Sequence, residues 1–86
     1  MTHKNKTVLI TGASSGIGHD MSPYFARDGY NLVLVARSEE PLRKLAKNME
    51  QQFGVQATVL VKDLAQPSAP EEVYQELTEA GISIDV

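Results

Sequence analysis

The sequence of 86 residues is long enough for one small domain, and its 11 acidic and 8 basic side chains leave a net charge of −3. This balance argues against a nucleic-acid binder, which usually carries a basic surface, and the absence of cysteine excludes disulfides and thiolate metal sites. The two histidines, His3 and His19, lie too far apart in sequence to suggest a metal site. Because the N-terminus is polar and no apolar run reaches the ~18 residues of a membrane span, we expect a soluble, cytoplasmic chain with no membrane contact.

Three apolar runs along the chain have the composition of short strands. The first is Thr7–Thr11, which ends at Gly12, and the third is Gln56–Val61. The second, Asn31–Ala36, is almost entirely apolar, as expected for a strand that is buried on both faces of a parallel sheet. Strands that alternate with helices imply right-handed crossovers, so the sequence predicts an α/β fold with a parallel sheet.

Helical periodicity fills the segments between these strands. The predicted buried face of the first helix consists of Ile17, Met21, Tyr24 and Phe25. The predicted buried face of the second helix consists of Leu42, Leu45, Ala46, Met49 and Phe53. Pro23 falls inside the first helix, where its missing N–H predicts a kink or an interruption.

Residues typical of helix ends flank the three predicted helices. Glycines that can adopt the left-handed conformation follow each one: Gly29, Gly54 and Gly81. Ser38 is placed to cap the second helix, and Ser68 and Glu71 have the spacing of a capping box at the start of the third.

The segment Thr11–Gly18 is rich in glycine, follows a predicted strand and opens a predicted helix. Gly12 permits a tight turn out of the strand, and Gly16 allows the backbone to approach a pyrophosphate without an intervening Cβ. Gly18 allows the helix to pack closely on the strand. This context predicts a phosphate-binding loop, and the alternative is a βα turn that binds no ligand.

Other residues of the loop fit the same role. Ser14 and Ser15 can donate hydroxyl hydrogen bonds to phosphate oxygens, and the N–H groups around Ile17 belong to the start of the helix. The positive end of the helix dipole lies behind these N–H groups and favours an anion.

The spacing G-x-x-x-G-x-G of this loop resembles the motif of the short-chain dehydrogenase/reductase family. Leu34–Arg37 resembles the end of that family's second strand, and Lys62–Leu64 its third-strand exit. Ile84–Val86 resembles the lead-in to the family's Asn-Asn-Ala-Gly motif, so the resemblance covers essentially the whole chain. It implies a partial doubly wound, Rossmann-like βαβαβα unit whose three-stranded parallel sheet has the order 3-2-1, and an NAD(P) cofactor.

The end of the second strand predicts which dinucleotide is bound. An acidic residue there would accept from the ribose 2′-hydroxyl of NAD, whereas an Arg accommodates the 2′-phosphate of NADP. Here Arg37 is present with Ser38 beside it as a further donor, which favours NADP(H) over NAD(H). The alternative interpretation of Arg37 is an ordinary solvated charge near a helix start.

The exit of the third strand supplies the predicted adenine contacts. The resemblance implies that Asp63 contacts the adenine edge and that Leu64 lies beside the ring. Asp63 could instead cap a turn or a helix. His19 could face the phosphates, but we favour an exposed position and leave it outside the site.

No catalytic residue can be assigned in this sequence. The family uses a Tyr-x-x-x-Lys pair with a Ser and an Asn, and none of the three tyrosines here is followed four residues later by Lys. We interpret the tyrosines as packing residues. The carbonyl or alcohol substrate would then bind to residues beyond Val86.

Two functions remain open at this point. Residues 1–86 are either the N-terminal cofactor-binding fragment of an NADP-dependent oxidoreductase, truncated at the start of a fourth strand, or a stand-alone, non-catalytic dinucleotide-binding or scaffold module. In a fragment the first strand would be an exposed edge, which predicts self-association.

Overall fold

A computed structural model of the chain describes residues 6–13 and 16–85, apart from the side chains of residues 16 and 17. Its elements in chain order are β1 (Thr7–Thr11), α1 (Gly16–Arg27), β2 (Asn31–Ala36), α2 (Glu39–Phe53), β3 (Ala57–Val61) and α3 (Ala69–Glu79). The predicted alternation is confirmed, with the third strand beginning one residue later than expected.

The three strands form one parallel sheet with β2 in the middle. The order β1-β2-β3 is the predicted order 3-2-1 counted from the opposite edge. Thr7 pairs with Asn31 at one end of the sheet and Ala36 pairs with Val61 at the other. The α/β, Rossmann-like fold class is therefore confirmed.

Alternate residues of β2 enter two separate hydrophobic clusters because side chains alternate across a strand. Leu32 and Leu34 join the cluster beneath α1 and α2, whereas Val33 and Val35 join the cluster beneath α3. The predicted buried face of α2 is confirmed, with four residues in the core and Phe53 packed against it.

The predicted buried face of α1 is wrong for Met21 and Tyr24, whereas Phe25 packs against the core and the side chain of Ile17 lies outside the described residues. Met21 and Tyr24 are 43% and 62% exposed, whereas Ser22 and Ala26 are fully buried. Tyr24 and Tyr74 are exposed, so the interpretation of these two tyrosines as packing residues is also wrong.

Pro23 does not interrupt α1, which is continuous from Gly16 to Arg27. The missing Pro23 N–H would otherwise bond the carbonyl of His19, and His19 is exposed, so water can take that place. Directly before the proline, the Ser22 hydroxyl donates to the Gly18 carbonyl at 2.9 Å.

The predicted serine caps are not formed. Ser38 precedes α2 in an extended conformation, but its side chain makes no cap hydrogen bond. Ser68 has helical backbone angles, and its hydroxyl donates to Glu72 at 2.8 Å. Its geometry therefore excludes the capping box with Glu71.

Within residues 6–13 and 16–85, no helix has the length and apolar character needed to cross a lipid bilayer. The same residues contain no cluster of three histidine or carboxylate side chains that could hold a metal ion.

Candidate functional site

A cleft of about 390 Å³ opens at the carboxyl ends of all three strands. In open parallel sheets this is the edge at which ligands bind, because the loops that leave the strands meet there. The cleft is lined by Gly12, Val35, Ala36, Arg37, Ser38, Lys62, Asp63, Leu64 and Ala65. Five of the residues predicted to bind a cofactor are thus brought together: Gly12, Arg37, Ser38, Asp63 and Leu64.

The turn that leaves β1 depends on two glycines for different reasons. Gly12 has a φ of +64°, a backbone angle that residues other than glycine rarely adopt. A Cβ added to Gly12 would meet no atom within 4 Å. A Cβ on Gly18 would lie 2.8 Å from the carbonyl oxygens of both Thr11 and Gly12. Because Gly18 has no side chain, α1 can begin close to the end of β1. Gly18 itself is not among the residues that line the cleft.

The start of α1 lies next to this turn. Gly16 is the first residue of α1. The N–H groups of the first helical turn have no partner within the helix, so α1 can offer them to an anion. The Ala13 N–H donates to the Val35 carbonyl at 3.2 Å, which ties the loop to the end of β2. The predicted phosphate ligands Ser14 and Ser15, and the side chain of Ile17, lie outside the described residues.

Arg37 and Ser38 follow the last residue of β2 and are both exposed to the cleft. Among the described residues, the Arg37 guanidinium has no ion-pair partner. The Ser38 hydroxyl is not used as a helix cap. This corner of the cleft therefore offers a cation and a hydroxyl that are both available to a ligand.

Asp63 and Leu64 form the opposite side of the cleft, just after β3. The Asp63 Oδ1 accepts from the Ala65 N–H at 3.0 Å, and the Asp63 carbonyl accepts from the Gln66 N–H at 3.0 Å. Asp63 therefore caps a turn while it also lines the cleft. His19 is exposed and lies 3.6 Å from Asp20, and it is not among the residues that line the cleft.

Lys62 is the charged cleft residue that the sequence reasoning missed. Its ammonium lies 3.0 Å from Glu72 and 2.8 Å from Glu76, both on α3. Hydrogen bonds to these two carboxylates raise the pKa of Lys62, and the bond from Lys62 lowers the pKa of Glu72. A detectable signal was present, since Lys62 is the one basic residue between positions 48 and 86, a stretch that contains seven acidic residues.

The model of the short chain dehydrogenase family matches residues 6–86. The chain belongs to this family. Among curated relatives, an uncharacterized oxidoreductase of Bacillus subtilis, YmfI, is 47% identical over 62 residues, which cover 71% of this chain and 26% of the relative. The chain spans about a quarter of the length of the curated relatives it matches.

Two solved structures superpose on nearly the whole of this chain. L-Sorbose reductase from Gluconobacter frateurii, complexed with NADPH and L-sorbose, superposes with a TM-score of 0.90 at 32% identity, covering 99% of this chain and 33% of that one. A xylitol dehydrogenase bound to NAD⁺ superposes with a TM-score of 0.85 at 27% identity, covering 99% of this chain and 32% of that one. Both dinucleotides thus occur among similar structures.

Proposed function

We propose that this chain binds NADP(H) in the cleft at the carboxyl ends of its strands, as the cofactor-binding part of an oxidoreductase. The observation that carries the preference for NADP(H) is the position of Arg37. Its guanidinium lines the cleft directly after β2, without an ion-pair partner among the described residues. A guanidinium can bind a 2′-phosphate through paired hydrogen bonds, whereas a carboxylate in this place would repel it.

The remaining residues fit the other parts of the dinucleotide. The left-handed turn at Gly12 and the N-terminus of α1 suit a pyrophosphate, with Gly16, Ser14 and Ser15 as further contacts along the loop. Ser38 adds a hydroxyl donor beside the 2′-phosphate. Asp63 can accept from the adenine amino group through its second oxygen, Oδ2, and Leu64 packs beside the ring.

Binding and orientation are the chemistry that this chain contributes. When bound, the nicotinamide would accept a hydride from an alcohol carbon or, in its reduced form, donate one to a carbonyl carbon. None of the three tyrosines is followed by a lysine four residues later, so the acid–base pair of the family is not in this sequence. We assign the carbonyl or alcohol substrate and the proton transfer to further residues of a longer protein.

Titrations of the chain with NADPH and NADH, followed by amide chemical shifts, test this function. We expect shifts centred on residues 12–18, 37 and 63–64, at lower concentrations of NADPH than of NADH. The variant Arg37→Gln should weaken NADPH binding about 10- to 100-fold, the effect of losing hydrogen bonds to a charged group, and leave NADH binding unchanged.

The matched control is Arg43→Gln, which removes an arginine that is paired with Glu39 on the exposed face of α2. Both ligands should bind this variant as they bind the original chain. Equal responses to NADPH and NADH would retain dinucleotide binding and remove the case for Arg37. A folded chain that binds neither ligand would contradict the proposed function.

A further inference from the structure

An ion cluster joins the exit of β3 to α3 beside the cleft. The Lys62 ammonium bonds Glu72 Oε1 at 3.0 Å and Glu76 Oε2 at 2.8 Å. The two glutamates are one helical turn apart on α3, so a single cation bridges both. With its side chain only 23% exposed, Lys62 is more enclosed than a typical surface ion pair.

Glu72 holds both ends of the segment that connects β3 to α3, residues 62–68. One carboxylate oxygen accepts from Lys62 at the start of this connecting segment, and the other accepts from the Ser68 hydroxyl at its end, at 2.8 Å. The Lys62 N–H also donates to the Ala36 carbonyl at 2.9 Å, which anchors the segment to β2. The connecting segment is therefore closed into a loop by one side chain of α3.

Asp63 and Leu64 lie within this closed loop. Two backbone N–H groups, of Ala65 and Gln66, donate to Asp63 at 3.0 Å each and shape the turn. This local turn sets the shape of the loop but does not attach it to the rest of the molecule. The Lys62 N–H attaches the start of the loop to β2, and the side-chain attachment to α3 comes from Lys62 and Ser68 through Glu72.

The cluster also divides the charges of the cleft. Lys62 and Arg37 are both cleft residues, but the Lys62 ammonium is matched by two carboxylates and Arg37 by none among the described residues. A phosphate is consequently attracted to the Arg37 side, while the side that carries Asp63, Glu72 and Glu76 is net negative.

We propose that Lys62, Glu72 and Glu76 form a positioning cluster that holds Asp63 and Leu64 in place for the adenine ring and leaves Arg37 as the phosphate-binding cation. This proposal rests on the proposed function, because it assigns the adenine end of the nucleotide to the loop. The three residues act through the loop and do not themselves contact the nucleotide.

The experiment compares the variants Lys62→Met and Lys62→Arg with the original chain. Adenosine 2′,5′-bisphosphate probes the whole adenosine end of the cleft, whereas inorganic pyrophosphate probes the glycine loop alone. Amide hydrogen exchange of Ala65 and Gln66, measured without ligand, reports the order of the loop directly. Lys47→Met is the matched control, since Lys47 is an exposed residue of α2 that does not line the cleft.

We expect Lys62→Met to weaken binding of the bisphosphate about tenfold, the cost of ordering a side chain and its loop at the moment of binding. Pyrophosphate binding should stay unchanged, and the two amides should exchange faster. Lys62→Arg should restore both properties because it keeps a cation within reach of the glutamates, and Lys47→Met should match the original chain.

Bisphosphate binding and amide exchange that are both unchanged in Lys62→Met would overturn the proposal. So would equal losses for both probes that accompany a lower melting temperature, because these would indicate a general loss of stability. If the original chain binds neither probe, the proposed function fails, and the exchange of Ala65 and Gln66 alone decides whether the cluster orders the loop.

Discussion

Thr7 and Asp85 hold each other by two hydrogen bonds across 78 positions of sequence. The Thr7 N–H donates to the Asp85 carboxylate at 2.8 Å, and the Asp85 N–H donates to the Thr7 carbonyl at 2.8 Å. Lys6, the preceding residue, directs its carbonyl to Asn31 of β2, so Asp85 lies on the opposite, outer side of β1. Asp85 therefore occupies part of the outer edge of β1.

Asp85→Ala should destabilise the chain by about 1 kcal/mol, the net contribution of a hydrogen bond to a charged acceptor at an exposed site. Asp85→Asn should lose less stability than Asp85→Ala, because the amide oxygen of asparagine can still accept the hydrogen bond from the Thr7 N–H. Urea denaturation provides the free energies of unfolding, and the amide exchange of Thr7 should accelerate in the alanine variant. Equal stability of all three proteins would show that the pair does not hold the edge.

We expect self-association of two copies through the part of β1 beyond Thr7, which Asp85 does not cover. β1 is an edge strand of the described sheet, and beside it lies a mostly apolar groove of about 350 Å³ lined in part by Leu9, Met21 and Phe25. Sedimentation velocity should show dimers or larger species as concentration rises. Met21→Lys should shift the chain towards monomer, since a charge in the groove beside this edge opposes burial against a second copy.

Tyr74→Lys is the control for this charge, because Tyr74 is 72% exposed on α3, in a different part of the surface. It should leave the association unchanged. A monomeric profile of the original chain at high concentration would contradict the prediction.

Gly18→Ala should destabilise the fold by about 1–3 kcal/mol, because the new methyl group would overlap two backbone carbonyl oxygens at 2.8 Å. Gly18→Ser, which adds a larger side chain, should destabilise the fold more.

Gly12 provides the contrast, since a side chain there would have space but the backbone has an unfavourable φ of +64°. Gly12→Asn should therefore be milder than Gly12→Ala, because asparagine tolerates the left-handed conformation better than alanine. Thermal unfolding of the four variants measures whether serine destabilises more than alanine at position 18 and whether alanine destabilises more than asparagine at position 12.

The stability of the Lys62 cluster should depend on pH at both extremes. The lowered pKa of Glu72 means that its contribution is complete above the ordinary value of 4.5 and disappears as pH falls through the lowered value. The raised pKa of Lys62 means that its contribution is complete below 10.5 and disappears as pH rises through the raised value. The difference in unfolding free energy between the original chain and Lys62→Met should therefore be largest between these limits.

Urea denaturation across the pH range measures this difference, with Lys47→Met as the control for removing one positive charge. The control should show no comparable maximum. A difference for Lys62→Met that is the same at every pH would show that lost packing, and not the ion cluster, is responsible.

Most of the fold was predictable because it follows from local pattern. The apolar run Asn31–Ala36 has the composition that a strand buried on both faces requires, and the structure places it in the middle of the sheet. The glycines at the ends of helices were equally predictable, because Gly29, Gly54 and Gly81 all have positive φ angles. Arg37 was predicted from its position just after a strand, whereas Asp63 was predicted from the resemblance to the family.

Contacts between distant segments were not predictable in this way. Periodicity identified α1 as a helix but assigned Met21 and Tyr24 to the core, whereas the buried residues are Ser22 and Ala26. Which face of α1 is buried depends on how the helix packs on the sheet, and periodicity alone does not specify this packing.

The sequence by itself determined the order of the strands along the chain, the helices between them and the glycine loop, because each depends on neighbouring residues. Only the tertiary structure decided that Lys62 pairs with Glu72 and Glu76, and that Asp85 holds Thr7. Charge and polarity predict that such groups find partners, but which partner each one finds depends on distances that the packing of helices on the sheet creates.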